Sequence, residues 1–239
     1  MKRQALIIGA PADDIPGVEV DVKNYKNFLM SPVGGAWLES EIDVLMSPSA
    51  LRLSIAQVPL KFADYSLCIF GGHGGHDKSI GKTLIKINAN EKIDVQELNA
   101  GAPRHTVIVD SCRTHFRSLI VEAMRKAQAS LENLADMDYA RRVYNEHLEK
   151  CAPTIAKMYS CSDGEGALES DNGGLFSHSL LKLSRAWSDQ SSAPETILEV
   201  NEAFNQAKAK VKNETGDRQN PEGMFLRTGP HFPFAVRSR

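Results

Sequence analysis

The 239-residue chain predicts an α/β domain on a mainly parallel sheet, and three observations carry that prediction. Short apolar runs bounded by turn residues alternate with stretches of helical period. No repeat, low-complexity tract or Pro/Gly-rich linker divides the chain, and 42% of it is hydrophobic, enough for one core. A single domain over 1–239 is expected, with a helical insert over 115–150.

The expected strands, in order, are 4–9 (QALIIG), 42–46 (IDVLM), 65–70 (YSLCIF), 106–109 (TVIV), 155–160 (IAKMYS) and a late one at 232–236. Each is a short run rich in aliphatic and aromatic residues with turn formers at its ends. Helices are expected over 18–30, 50–60, 94–100, 116–149 (broken), 173–187 and 194–213. In the segment after Cys112, Ile120, Met124, Ala127, Leu131 and Leu134 recur at steps of four and three and fall on one helical face. NANEK at 88–92, between the alternating TLIKI and the following IDV, reads as a hairpin tip.

Bulk properties exclude several function classes. A formal net charge of −2 offers no basic field for nucleic acid or an anionic membrane. The four cysteines, Cys68, Cys112, Cys151 and Cys161, form no CxxC pair and are too sparse for a disulfide scaffold, which fits a reducing, cytoplasmic setting. The start MKRQALIIGAPADD has too short an apolar run for a signal peptide, and an acidic pair follows it directly. No apolar run is long enough to span a bilayer.

The stretch CIFGGHGGHDKSIGKT, 68–83, invites three readings. As a phosphate loop it fails by one residue, because Walker A needs glycine where His76 stands, and the strand-like LIKI follows instead of a helix. As a metal site, His73 and His76 lack further ligands at suitable spacing. As a catalytic segment it gains from a second strand end: YSLCIF runs into Gly71-Gly72-His73-Gly74-Gly75, and TVIV runs into Asp110-Ser111-Cys112. Ligands gather beyond the carboxyl ends of parallel strands. If these strands are neighbours, His73 and Cys112 face one cleft as base and nucleophile. The amides of Gly74 and Cys112 could then donate to the oxyanion of a tetrahedral intermediate.

GGHGG after one strand, DSC after the next, then YSCSDGEGALE and GGLFSHSLL resemble, in their strand-to-loop order, the caspase and metacaspase superfamily of cysteine peptidases. ALIIGA followed by GVEVDVKNYKNFL is similar to the family's first strand and the helix carrying an Asp in its opening turn. The resemblance covers most of the chain outside about 115–150. It implies a three-layer sandwich with a sheet of about six strands. It also implies a Cys112 nucleophile, His73 as general base or acid, an oxyanion hole at Gly74 and Cys112, and no obligatory third catalytic member.

The resemblance also bears on which bond is cut. Caspases that cleave after Asp carry Gln two residues before the nucleophile, whereas metacaspases carry Asp there and in the first helix, as Asp110 and Asp21 do here. An anionic S1 pocket for Arg, and less for Lys, is therefore expected, since a carboxylate can hold a guanidinium bidentately. Asp163, in YSCSDGEG, matches a further acidic position and is expected to line or brace the same pocket. The bland alternatives are that Asp21 complements a helix N-terminus, worth about 0.3–1 kcal/mol, and that Asp110 caps its strand.

Two features depart from the family. Arg113-Thr114-His115 follows the nucleophile where metacaspases carry His-Ser-Gly, and the insert offers Arg125, Lys126, Arg141 and Arg142 as self-processing positions. Asp77, Glu91, Asp94 and Glu97 are widely spread and give calcium only thin support, so activity without a cofactor is expected and calcium is the alternative. The expected partner is a polypeptide substrate with a basic P1 residue. A catalytically silent binding module and a peptidase with non-basic P1 preference are the competing readings. By family association the chain resembles prokaryotic proteins of defence or cell death.

Overall fold

The run RQALIIGA is apolar apart from its start, so it has nowhere to lie but inside, and β1 (Arg3–Ala10) is buried at every residue. In the computed structural model, which describes residues 1–77, 79–112, 134–170, 172–190 and 195–237, the other elements assemble around it. They follow in the order α1 (Gly17–Met30), β2 (Ile42–Met46), α2 (Ala50–Ala56), α3 (Val58–Lys61), β3 (Tyr65–Asp77), β4 (Lys82–Lys86), β5 (Lys92–Asp94) and β6 (Arg104–Cys112). Next come α4 (Leu134–Lys150), β7 (Thr154–Tyr159), β8 (Glu169–Ser170), β9 (Gly173–Gly174), α5 (Leu175–Ser188), β10 (Ile197–Glu199), α6 (Val200–Thr215), β11 (Glu222–Met224) and β12 (Pro233–Val236).

The central sheet has the order β11-β7-β6-β3-β1-β2 and is parallel except for the edge strand β11. Strand alternation divides its side chains between two cores. Ala5, Ile7, Leu67, Ile69, Ile108 and Met158 point to one face, under α1, α4, α5 and α6. Leu6, Ile8, Cys68, Phe70, Val107 and Val109 point to the other, where they meet Leu53, Leu60, Ile87 and Leu98. The result is a mixed α/β, three-layer arrangement with a sheet buried on both sides, as parallel sheets require.

Chain direction places the ligand crevice. After β1 the chain adds β2 on one side and then β3 on the other. That reversal opens a crevice beyond the carboxyl ends of β1 and β3. Past that edge β3 continues to Asp77 and pairs antiparallel with β4, which pairs with β5. The 88–92 hairpin is thus present, anchored by Ile85, Ile87 and Ile93 in the second core.

Several expected boundaries move. The 50–60 helix is two pieces that part at Gln57, with Pro59 near the start of the second. The 94–100 helix is a 3-10 turn over Val95–Asn99, capped by Asp94. The 194–213 helix starts at Val200, after β10, and ends at Gly216 in the left-handed region. The late strand pairs with β10 in a separate ladder, and Glu222–Met224 supplies the sheet edge instead. Ile120, Met124, Ala127 and Leu131 lie outside the described residues. Leu134 is 82% exposed, against expectation, and α4 buries Ala140, Tyr144 and Leu148 at steps of four.

One buried ionic network ties the first strand to α4. Arg3, with no exposed side-chain surface, lies 3.4 Å from Glu41 and donates to the Gly35 and Ala36 carbonyls, while its guanidinium stacks over Trp37. Arg141 clamps the same Glu41 through both oxygens, at 2.5 and 2.8 Å. A lone buried Arg is costly, and the shared carboxylate and carbonyls make it tolerable. No helix among the described residues is long and apolar enough to cross a membrane.

Candidate active site

Parallel register brings the two reactive positions together. The β3–β6 ladder runs from Tyr65↔Arg104 to its last pair, His73↔Cys112. Both residues therefore sit at the carboxyl ends of neighbouring strands, on the crevice side. Only the backbone of Cys112 is described. Its neighbour Ser111 is braced from β7's continuation: the amide donates to Ser160 Oγ at 3.1 Å, and the carbonyl accepts from Ser160 Oγ and Cys161 Sγ.

His73 is largely buried, with 23% of its side chain exposed. Its Nε2 lies 2.9 Å from Oδ1 of Asp14, in the loop that follows β1. The imidazole beside it holds the Asp14 carboxyl below its ordinary range. Two clefts meet at His73. One, of about 430 Å³, is lined by Gly74, His76, Asp77, Leu84 and Lys86. The other, of about 820 Å³, is lined by Asp13, Asp14, Lys86, Asn88 and Glu91. Each is large enough for part of a peptide.

On the other side of the strand ends, Asp21 and Asp110 share one small cavity with Gly72, Ser111, Leu168, Glu169 and Gly174. Asp21 is 6% and Asp110 8% exposed. The N-terminus of α5 holds both: the Gly174 amide donates to Asp21 Oδ2 at 2.8 Å, and the Ser177 amide and hydroxyl donate to Asp110 Oδ2 at 3.1 and 2.6 Å. Unpaired helical amides favour such anions. Asp21 Oδ1 is buried with no hydrogen-bond partner among the described residues.

Among the described residues no Lys or Arg lines this cavity, and its carboxyls oppose one another's ionisation. Burial, then the Asp110 charge, pushes Asp21 well above the usual carboxylate range. Burial raises Asp110 as well, offset by the Ser177 hydrogen bonds. Glu169 is raised by burial first and then by Asp110. These shifts combine desolvation with like charge, the combination that makes a buried carboxyl cluster a candidate functional site. The cavity measures about 30 Å³, room for about one water, so a guanidinium would have to displace the wall formed by Ala167, Leu168 and Glu169.

Three sequence expectations are revised here. Asp163 is not among the lining residues; it is exposed, and its carboxylate stands 3.8 Å from His76 Nδ1. Helix α1 begins at Gly17, which puts Asp21 in the second turn, beyond the orphan amides it was thought to complement. Arg141 and Arg142 lie inside α4, paired with Glu41 and Glu146, and a peptidase cannot engage a helical bond as an extended chain. Arg125 and Lys126 lie outside the described residues.

Sequence reasoning missed Asp14, Glu169 and Ser177. The acidic pair in APADD, one loop after a buried strand end, was a usable signal for Asp14. Glu169 and Ser177 gave none, since only the folding of 165–177 against α1 brings them in. Other candidates fall away. Lys82 pairs with Asp94 across β4 and β5, and His76 faces Thr83. Cys68 is fully buried, with burial pushing its thiol up to about 12, Cys151 is pushed up to about 11, and Cys161 is buried. Thiols so far from ionisation are poor nucleophiles.

A cysteine and a histidine thus stand at adjacent strand ends of a parallel α/β sheet, beside an acidic cavity. The chain belongs to the caspase-domain family: the family's profile matches residues 2–228. Solved structures agree in fold. Caspase-1 from Spodoptera frugiperda superposes with a TM-score of 0.59 at 11% identity, over 97% of this chain and 90% of that one. A protein of Geobacter sulfurreducens gives 0.57 at 14% identity over the full length of both chains. The Drosophila initiator caspase Dronc gives 0.56 at 10% identity, over 98% and 80%. No curated protein sequence matches.

Proposed function

We propose that the protein is a cysteine endopeptidase of metacaspase type that cleaves polypeptides after Arg, and less well after Lys. The observation that carries this reading is the buried carboxylate pair of Asp21 and Asp110 in one cavity that, among the described residues, no cationic side chain lines. A substrate guanidinium is the group this cavity lacks: it can pair with both carboxylates and donate to the orphaned Asp21 Oδ1.

The chemistry follows from the strand ends. The Cys112 thiolate attacks the scissile carbonyl carbon, and a C–S bond forms as the carbonyl π pair moves to oxygen. The Gly74 and Cys112 amides stabilise that oxyanion. Its collapse breaks the C–N bond, and protonated His73 gives its proton to the leaving amine. Water, deprotonated by His73, then attacks the thioester, and the acid product and free thiol are released. No step calls on a cofactor.

Fluorogenic peptides differing only at P1 (Arg, Lys, Asp, Leu) test the reading with wild type, Cys112→Ala and Asp110→Ala. Arg should be turned over fastest, Cys112→Ala should be inactive, and Asp110→Ala should lose the basic preference. Turnover of Asp or Leu peptides at the Arg rate would replace the acidic-pocket reading with a non-basic one. The 30 Å³ cavity favours the competing binding-module reading, in which the pocket stays shut. Absence of turnover on all four peptides, with no Cys112 labelling by a basic-P1 electrophile, would establish that alternative.

A further inference from the structure

The imidazole of His73 has two ring nitrogens, and the structure commits one of them. Nε2 meets Asp14 Oδ1 at 2.9 Å. An ionised carboxylate only accepts hydrogen bonds, so the proton of a neutral His73 resides on Nε2 and Nδ1 is left as the free base. Asp14 arrives from the loop after β1, the strand that borders β3, so this contact ties the ends of two neighbouring strands. Among the described residues it is also the sole hydrogen bond of the His73 ring.

The geometry points to Asp14 as the positioning residue of His73: its carboxylate fixes the ring's tautomer and orientation, so that Nδ1 serves Cys112 and the functional unit is a triad. The inference rests on the peptidase reading above. Two further charged groups act on the pair, and a second imidazole lies nearby in sequence. Lys86, on β4, favours the Asp14 carboxylate; Glu169, on β8, interacts with both His73 and Asp14; His76 stands three residues along β3. Asp14 itself is 60% exposed on its side chain, so its removal should leave the fold intact.

The test measures kcat and KM separately on an Arg peptide for wild type, Asp14→Ala, Asp14→Asn and Asp14→Glu, together with the rate of Cys112 alkylation by iodoacetamide across pH, read by intact mass. A misaligned general base costs about 10- to 100-fold, so Asp14→Ala should lose kcat by about that factor with KM within about twofold. Asp14→Glu should regain part of the loss, and Asp14→Asn, which keeps an acceptor but loses the charge, should alter the alkylation–pH profile. In a His73→Ala background, Asp14→Ala should change nothing further. An Asp14→Ala kcat within twofold of wild type, or an equal further loss without His73, overturns the inference. Alkylation needs no substrate: if no peptide is cleaved yet Asp14→Ala still alters the profile, the peptidase reading fails and the positioning role stands.

Discussion

Cys112 is the register partner of His73 at the final rung of the β3–β6 ladder. The two positions are thereby fixed by a nine-residue parallel pairing and need no flexible loop to meet. Because backbone pairing, and not the side chains, sets this distance, either side chain can be removed without disturbing the sheet. Cys112→Ala should abolish turnover and His73→Ala should lower kcat by about 10²- to 10⁴-fold, with melting temperatures unchanged. Steady-state kinetics beside calorimetry check this; a parallel fall in activity and melting temperature would show that the residues act through the fold.

The carboxylate at Asp21 destabilises the empty protein. Burial and the neighbouring Asp110 oppose its charge, and one oxygen has no partner among the described residues. Asp21→Asn keeps an acceptor for the Gly174 amide and removes the charge. It should raise stability at neutral pH by about 1 kcal/mol, or about 2–4 °C in melting temperature for a domain of this size, while cutting kcat/KM for Arg peptides. As pH falls towards the ordinary carboxylate range the wild-type group takes up a proton in the folded state first, so the variant's advantage should shrink. Thermal melts from neutral pH to about 4 test the sign.

Substrate binding should be more sensitive to acid than to base. Asp21, Asp110 and Glu169 are all raised, so each gains a proton at a higher pH than an ordinary carboxyl, and a protonated pocket cannot pair with a cation. KM for an Arg peptide should therefore climb as pH drops through that raised range, while KM for a Leu peptide stays flat. Parallel KM–pH curves for the two peptides would remove these carboxyls from the S1 pocket.

Gly173 is the conformational key to the same wall. Its φ is +98°, and a Cβ there would stand 2.0 Å from Asp21 Oδ1. Gly173→Ala should cost more than about 1 kcal/mol in stability and depress Arg turnover by displacing Asp21. An Ala variant with full Arg activity would mean that Asp21 does not contact substrate.

Glu41→Gln should be the most damaging surface-distant change. It leaves the Arg3 guanidinium, fully buried, and Arg141 without their shared anion. Breaking such a pair costs about 3–5 kcal/mol, a fall of at least about 6 °C. Urea unfolding measures it, and a loss under about 1 kcal/mol would class the network with exposed ion pairs.

Strand positions were readable because each is a short apolar run, whereas the α/β alternation allowed YSLCIF and TVIV to be neighbours without requiring it, and the β3–β6 ladder supplies that pairing. That His73 and Cys112 share one edge was legible on that condition, because parallel strand ends point the same way. What the residues could not tell was anything built by return of distant chain. Asp163 carries the right chemistry, yet the turn at 161–166 leaves it with His76. Glu169, an unmarked acid in GALES, becomes a pocket wall because its carboxyl also accepts from the Gly17 amide at the start of α1. The 232–236 run looked like a sheet strand since its burial is complete, but burial does not name a partner, and β10 claimed it.

The ladder that seats His73 runs nine residues, whereas the one that closes over the carboxylates, β8 with β9, has two. The proposed bond-breaking and substrate-reading parts are therefore founded on supports of very different depth. Inheritance can act on them independently: a lineage of such proteins could exchange what it recognises by redrawing one short hairpin, and keep its hydrolytic machinery untouched.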